Sequence, residues 1–443
     1  MSSADTAGTG FPFTAGELVR AFLFLAVFAY FWVGFEIFTD LADPKVLLLD
    51  NDGNAFRQAV TLLLVAVVAV FALLSVRDML PGLLTPMLVA VAAWLFVAVV
   101  LSTDPGLSAR RYALAMFMVG LAAVTPLIPV SERQFSFLAA TALLAFLAVN
   151  FAAVVFMPSI AIHQPWDLKE ANLAGGWRGL YQHKNAAGSA MASAVFLGIY
   201  IARARSMALG LLVAGSAATF LLFTLSKTPP LFLVPTLAVS WLVLKLRSTF
   251  VRCLLLLAVI AAINLFTLGT VIFPAVKSIV EKSISDPTFT NRTDIWEFAT
   301  REVMRHPVKG YGFAAFWGTT DVASSGDSIE TWATKAGHAH NGYLDSVINA
   351  GFPALALIIL WLVVEPMRNL ARQPAGTHGP LTSLYVQLIV FGLLMSCMES
   401  QFFAADGPIW FMMLFAVFGL KLQASADLVR EADPASPGPS TGP

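Results

Sequence analysis

The sequence predicts an all-α, polytopic membrane protein of about twelve transmembrane helices, with one large loop outside the membrane. Three observations carry that expectation. Of the 443 residues 58% are hydrophobic and only 12% charged, and 27 Lys+Arg balance 27 Asp+Glu. A soluble domain carries about 25% charged residues. The mean hydropathy of +0.77 therefore excludes a disordered chain, a basic nucleic-acid-binding protein and an ordinary soluble enzyme. The apolar runs are continuous, not alternating, which excludes a β-barrel. Many approach the roughly 20 residues that a helix needs to cross hydrocarbon with its own backbone satisfied.

The expected spans cover 18–38, 58–75, 83–102, 111–130, 134–157, 187–203, 206–226, 229–246, 251–273, 344–365, 381–403 and 408–424. No basic segment precedes the first run and no small-residue cleavage site follows it, so it is expected to stay as a span. An even number of spans puts both termini on one side. Short loops on that side carry twelve Lys/Arg, from Arg20 to Arg430, against five on the other, Lys45, Arg57, Arg110, Arg111 and Lys227. Positive charge stays inside, so both termini, 1–17 and 425–443, are expected in the cytoplasm. The Pro/Ser/Gly-rich end 433–443 reads as disordered. Loops 158–186 and 274–343 then face outward, between the span blocks 18–157, 187–273 and 344–424.

The first long loop ends in GGWRGLYQHKNAAG (175–188), which gathers Arg178, His183, Lys184 and Asn185 without an acid between 176 and 185. Trp177 and Tyr181 suit an interfacial anchor, while the glycines permit the close backbone approach of a ligand. In the second long loop, Ile295, Ala299 and Val303 at helical spacing predict an amphipathic helix on the outer face. Thr293 is expected to cap it and Pro307 with Gly310 to end it. Arg292, Arg301, Arg305 and Lys309 offer charge to an anion, although Glu297 and Arg301 at i, i+4 also suit a surface ion pair. The loop closes on His338, His340 and Asn341, directly before the tenth span. An unperturbed imidazole exchanges protons near neutrality, so His340 is the candidate general base. The two histidines lack a third ligand for zinc.

Other features carry less. Asp50-Asn51-Asp52 has the form of a metal-binding acid triplet but sits in a polar turn, and Asn291-Arg292-Thr293 matches a glycosylation sequon. Cys253 and Cys397 fall in spans and suggest no disulfide. Glu36 and Glu399 lie near outer helix ends, where each either snorkels or lines a cavity. A twelve-span transporter is the competing class. The short link Arg203–Ser206 between spans six and seven, the lack of a visible repeat, and the two unequal outer loops favour an enzyme.

On WRGLYQHKNAAG (177–188), SKT (226–228), NRTDIW (291–296), HPVKGYGF (306–313) and HAHNGYLDSVINAGFPA (338–354), the chain resembles the O-antigen ligase and Wzy-type polymerase superfamily. The most specific element is His340-Asn341, then nine residues, then Gly351. The resemblance implies a C-type glycosyltransferase-like fold in a bacterial inner membrane, with the large loop and the active site periplasmic. It implies an undecaprenyl-diphosphate-linked glycan as donor and a second glycan as acceptor, lipid-linked or lipid A-core. Membrane lipid and other polysaccharide assembly proteins are the further partners; no nucleic acid, cofactor or metal is expected. His340 takes the place of the catalytic histidine, and Arg178, Lys184 and Arg292 are expected to hold the diphosphate, supported by His183, Asn185, Lys227, His338 and Asn341. Two positions depart from the pattern: Lys227 stands where arginine is usual, losing the planar fork, and Ala354 where Gly, Thr or Tyr is usual. WRGLYQHKN looks most like the exopolysaccharide polymerase branch, although ligases share every motif quoted.

Overall fold

The computed structural model describes residues 14–44, 55–168, 170–319, 333, 336–373, 378–405 and 407–431. The expected triplet Asp50/Asp52, Lys45 and the end 433–443 lie outside these residues. The described chain is helical, with a single isolated bridge between Ile162 and Trp177. The helices of ten or more residues are α1 (Ala15–Trp32), α2 (Ala55–Ser75), α3 (Pro86–Val100), α4 (Pro105–Val124), α5 (Glu132–Phe156), α6 (Lys184–Ala204), α7 (Met207–Phe223), α8 (Thr228–Lys245) and α9 (Thr249–Phe266). They continue with α10 (Pro274–Ser283), α11 (Arg292–Arg305), α12 (Gly342–Ile359), α13 (Pro380–Met395) and α14 (Pro408–Glu431).

Among the described residues nine helices are long and apolar enough to cross a membrane. A bent pair makes a tenth, and α7 and α13 are shorter apolar helices. Each of the twelve expected spans overlaps one of these. This is a multi-pass, all-α membrane protein. The ends follow local chemistry: Thr14 forms a capping box with Glu17, and Ser131, Ser206 and Ser248 cap α5, α7 and α9 through their hydroxyls. Thr85 and Asp104 cap α3 and α4, each followed by proline at the first helical position. Pro86 also breaks the expected 83–102 span. Thr85 before it is held extended, and Arg77–Leu83 meets Pro86–Val100 at 70°.

The centre is built from α6, α13 and α14, which are buried along most of their length, whereas α2 buries only Thr61, Val68 and Ala72. Leu62, Leu63, Val67, Val70, Leu73 and Leu74 of α2 stay exposed, the apolar surface that lipid would cover. α6 and α7 form a close hairpin, with Gly198 against Ala214 and Gly210 against Ala202. A Cβ on Gly210 would lie 2.2 Å from the Ala202 nitrogen. This hairpin sets the start of α6 beside the turn 224–227 that follows α7.

α12 is kinked at Ala350 and Gly351, where φ reaches +75°. The carbonyls freed there are taken by Tyr311 N (to Ile348 O, 2.9 Å), Gly312 N (to Asn349 O, 3.0 Å) and Trp94 Nε1 (to Ala350 O, 2.8 Å). The segment 306–313 thus docks into the kink, and a Cβ on Gly351 would lie 1.9 Å from Val308 O. The spacing from His340-Asn341 to Gly351 is therefore the start and the kink of one helix. Beyond the kink the helix passes through a π turn, Leu360–Val364, and Thr85 Oγ1 bonds Glu365 beside it at 2.8 Å.

Candidate active site

The start of α12 is clamped from three directions. Asn341 caps the helix by accepting from Leu344 N at 3.0 Å, and its amide donates to Asn264 Oδ1 of α9 and to Cys397 O, both at 2.8 Å. Asp345, a turn later, accepts from Trp317 Nε1 at 2.7 Å, from Ala339 N at 3.1 Å and from the Ser400 hydroxyl. Trp296 of α11 donates to Ala339 O at 2.9 Å. Between these clamps His340 is held at φ +51°, a left-handed backbone that costs a non-glycine residue about 1–2 kcal/mol.

His340 Nδ1 lies 3.0 Å from Glu399 Oε2, and Arg292 Nη2 donates to the other oxygen, Oε1, at 2.6 Å. Arg292 Nη1 donates to the Met398 carbonyl. Burial by itself would raise the Glu399 carboxyl, but the hydrogen bond from His340 and the Arg292 charge outweigh it and pull it down to about 2. An ionised carboxylate only accepts, so His340 donates from Nδ1 and keeps a lone pair on Nε2. Nε2 has no partner among the described residues. The imidazole is 32% exposed, against 13% for Glu399 and 10% for Arg292, so the histidine faces outward with its partners behind it. His338 accepts from His340 N at 3.2 Å; burial first, then the His340 charge, push it down to about 4, so it stays neutral.

The first long loop is organised differently. Arg178, expected at the diphosphate, is fully buried: its guanidinium donates to Thr39 O at 2.9 Å and Tyr181 O at 3.2 Å. In the structure it instead ties the loop to the segment after α1. A Cβ on Gly179 beside it, at φ +57°, would lie 2.0 Å from Asn150 Oδ1. His183 caps α6, accepting from Asn185 N through Nδ1 at 2.9 Å, while Nε2 meets Glu170 Oε2 at 2.7 Å. The buried His163 does likewise, with Nδ1 3.2 Å from Asp167 and Nε2 accepting from Lys184 N at 3.3 Å. Both nitrogens of these two histidines are used.

Lys184 Nζ donates to Leu225 O at 3.1 Å, and Lys227, two residues on, lies 3.4 Å from Asp286 with its side chain 78% exposed. Asp286 accepts from Thr288 and Thr290 in the turn that leads into α11. Phe289, Thr290 and Asn291 of that turn all have positive φ. The circuit closes at Glu170: the bond from His183 is the main cause of its lowered pKa, and the charge of His340 adds to it. Lys184, Lys227, Asp286, Arg292, Glu399, His340, Glu170 and His183 thus form one connected cluster at a single end of the bundle.

The structure brings together His340, His338, Asn341 and Arg292 from the second loop, and His183, Lys184, Asn185 and Lys227 from elsewhere; Arg178 is buried within reach of the charges of Asp167 and His163. Several local expectations change. Asn291 sits at the start of α11 without a side-chain cap, and Thr293 lies inside the helix. In α11, Ile295, Trp296, Phe298, Ala299 and Val303 are buried. Arg305 pairs with Glu302 at 2.8 Å, and no Glu297–Arg301 pair occurs among the described residues. The 176–185 stretch lacks acids only in sequence, since Glu170 takes His183 and Glu36 takes Gln182 Nε2 at 2.7 Å. α13 stops at Met395, so Glu399 belongs to a turn instead of a span, and there it meets His340. Glu170, Asn264 and Asp286 had no local signal: each is recognisable only through a partner distant in sequence.

Fold and cluster together define a polytopic, all-helical membrane protein that presents a histidine, a carboxylate and several cations at one end. Residues 190–359 match a family described as O-antigen ligase. The match includes Lys227, Arg292 and His340 and omits Arg178, His183, Lys184 and Glu399. Two Rickettsia proteins, each named "Putative polysaccharide ligase", are 24% identical: that of Rickettsia conorii over 182 residues, 38% of this chain and 41% of its own length. That of Rickettsia felis aligns over 178 residues, 38% and 42%. The chain spans about two-fifths of the length of the curated relatives it matches. Motifs, family match and relatives agree that this chain resembles the O-antigen ligase superfamily.

Proposed function

We propose that this protein is an inverting glycan transferase of the bacterial inner membrane, with both termini cytoplasmic and the cluster facing the periplasm. It moves an oligosaccharide or polysaccharide from undecaprenyl diphosphate to an acceptor glycan. The observation that carries this reading is His340, with Nδ1 engaged by Glu399 and Nε2 without a partner among the described residues, at the edge of a cation-bearing cluster. Nε2 accepts the proton of an acceptor hydroxyl as its oxygen attacks the anomeric carbon. The bond from that carbon to the diphosphate breaks, and the electron pair leaves on a phosphate oxygen. Attack opposite the leaving group inverts the anomeric centre.

A diphosphate is already a good leaving group, so charge stabilisation matters more than a strong general acid. Lys184 and Lys227, at the start of α6 and in the adjacent turn, support that role. Charge-assisted bonds to phosphate are stronger than neutral ones and gain further in a desolvated site. Arg178 supports the same loop from behind. Purified protein, supplied with lipid-linked repeat units and no membrane gradient, is expected to form longer glycans. Retained product formation in His340→Ala would refute the base, and movement of donor across vesicles without new linkages would favour a transporter.

Within this class the WRGLYQHKN stretch favours a Wzy-type exopolysaccharide or O-antigen polymerase. The names of the matched family and relatives favour a second reading, an O-antigen ligase that delivers glycan to lipid A-core. Glycan profiling after gene deletion separates them. Loss of long chains or of a secreted polysaccharide indicates the polymerase, and lipid-linked polymer that never reaches lipid A indicates the ligase.

A further inference from the structure

We propose that the start of α9 holds a phosphate-binding site for the headgroup of an anionic membrane lipid, built on Arg252 and completed by His378. Arg252 lies in the first turn of an apolar spanning helix and is only 4% exposed. Its Nε is used inside the fold, shared between Val243 O at 3.0 Å and Leu246 O at 2.9 Å, carbonyls at the end of α8. Nη1 is buried with no hydrogen-bond partner, and the guanidinium forms no ion pair among the described residues. A buried charge without a counter-ion is costly. A trapped water would accept one hydrogen bond and leave the charge in place, whereas an anion answers both.

The surroundings also lack a protein anion. α9 packs against the segment Glu365–Ala371 and against α13. No acid occurs in 226–280 or in 366–398, the stretches that carry α8, α9 and α13. His378, half-buried just before α13, lies within reach of the Arg252 charge: burial first, then that charge, hold its imidazole below the ordinary histidine value. Its Nδ1 is buried and unpartnered, and with the hydrogen placed there it donates to a phosphate oxygen. The amide nitrogen of the buried Asn369, in the segment packed on α9, is likewise unpartnered. Lys245 and Arg247 at the α8–α9 link, and Arg368 and Arg372 before His378, are exposed and add positive charge.

The flanks of the arginine favour a lipid as the source of the phosphate. α9 buries only Arg252, Leu256 and Ile260, while Phe250 and Leu254 on either side of Arg252 in sequence are exposed. An acyl chain thus has an apolar helix face to follow below a headgroup held by the guanidinium. Basic pockets between membrane helices take anionic headgroups in this way, and the planar fork pairs two N–H groups with phosphate oxygens. Asn264, about 18 Å further along the helix axis, bonds Asn341. The site is therefore remote from His340, and a bound headgroup braces the helix that clamps the start of α12.

The test uses the full-length protein, delipidated in a neutral detergent and titrated with phosphatidylglycerol or phosphatidylcholine in native mass spectrometry. The wild type is expected to bind its first phosphatidylglycerol about tenfold more tightly than phosphatidylcholine, the scale of a charge-assisted hydrogen bond. Arg252→Gln should erase that preference, and Arg252→Lys should restore part of it. Arg77→Gln, at an exposed arginine beside Asp78, should leave it within about twofold.

Equal affinity for the two lipids in the wild type, or an unchanged preference in Arg252→Gln, would overturn the inference. So would a matching loss in Arg77→Gln, the sign of general surface attraction. Displacement of the first phosphatidylglycerol by equimolar inorganic phosphate would assign the site to a free anion and overturn the lipid. If Arg252→Gln does not fold, His378→Ala decides by the same comparison: a loss of about threefold supports the site, and an unchanged preference refutes it.

Discussion

His183–Glu170 in the first long loop and His340–Glu399, which joins the end of the second to the turn after α13, are both histidine–carboxylate pairs, at 2.7 and 3.0 Å, and both lie in the same cluster. They differ in the second nitrogen. His183 spends it on capping α6, whereas that of His340 is unpartnered among the described residues. A neutral imidazole has one donor and one acceptor. Once both are used inside the fold the ring is structural, and with one left over it can exchange a proton with a substrate. The buried His163, with both nitrogens engaged, falls on the structural side.

The largest expected effect breaks this contrast most directly. His340→Ala should reduce transfer by about a hundred- to ten-thousandfold, the usual contribution of a general base. His183→Asn, which keeps a good N-cap, should leave the rate within several-fold and change stability by at most about 1 kcal/mol. Parallel rate assays and thermal melts check both. Similar rate losses in the two variants would end the distinction.

The glycines that shape the two loops provide the next comparison. Gly351→Ala would place a Cβ against the backbone oxygen of Val308 at positive φ, and Gly179→Ala would place one against the side chain of Asn150. Backbone cannot step aside, so Gly351→Ala should cost about 3 kcal/mol or more and Gly179→Ala about 1–3 kcal/mol. Thermal unfolding of the detergent-solubilised protein reads the order.

Acid should loosen the second loop in two stages. His338 has a folded value of about 4 against 6.5 when unperturbed. The unfolded chain therefore binds the extra proton first, and stability falls as pH drops from about 6.5 to 4. Glu399 is depressed from 4.5 to about 2, so its contribution is complete above about pH 4.5 and is lost as pH falls toward 2. Melting temperature against pH should show both windows, and His338→Asn should shrink the upper one, to which His163 and His378, also held below the ordinary histidine value by burial, contribute. The smallest expected effect is at Lys227: Lys227→Arg restores the planar fork and should lower donor KM by a few-fold if this position meets the diphosphate. An unchanged KM would move the anion site away from the turn after α7.

How much of this was legible in the sequence follows from the range of each signal. Apolar run length led to a helix overlapping every expected span, because crossing hydrocarbon is a local requirement on consecutive residues. The helix over 292–305 and the polar start of α12 were legible for the same reason, through spacing along one helix. His340 stood out as an imidazole at a helix start. The burial of the Arg178 guanidinium on backbone carbonyls was not legible, because a guanidinium looks the same in sequence whether it meets backbone carbonyls or phosphate.

By itself, then, the sequence determined an all-α membrane protein with two long polar loops and a set of histidines, lysines and arginines near helix starts. Only the tertiary structure decided which of those side chains are already used. Glu399 is 59 residues from His340 and 107 from Arg292, and it reaches both because α13 ends at Met395 and releases the following turn. Hydrogen bonds saturate: each nitrogen or oxygen accepts few partners, and those partners come from whichever elements packing brings together. Whether a residue is free to act is therefore a property of the folded molecule.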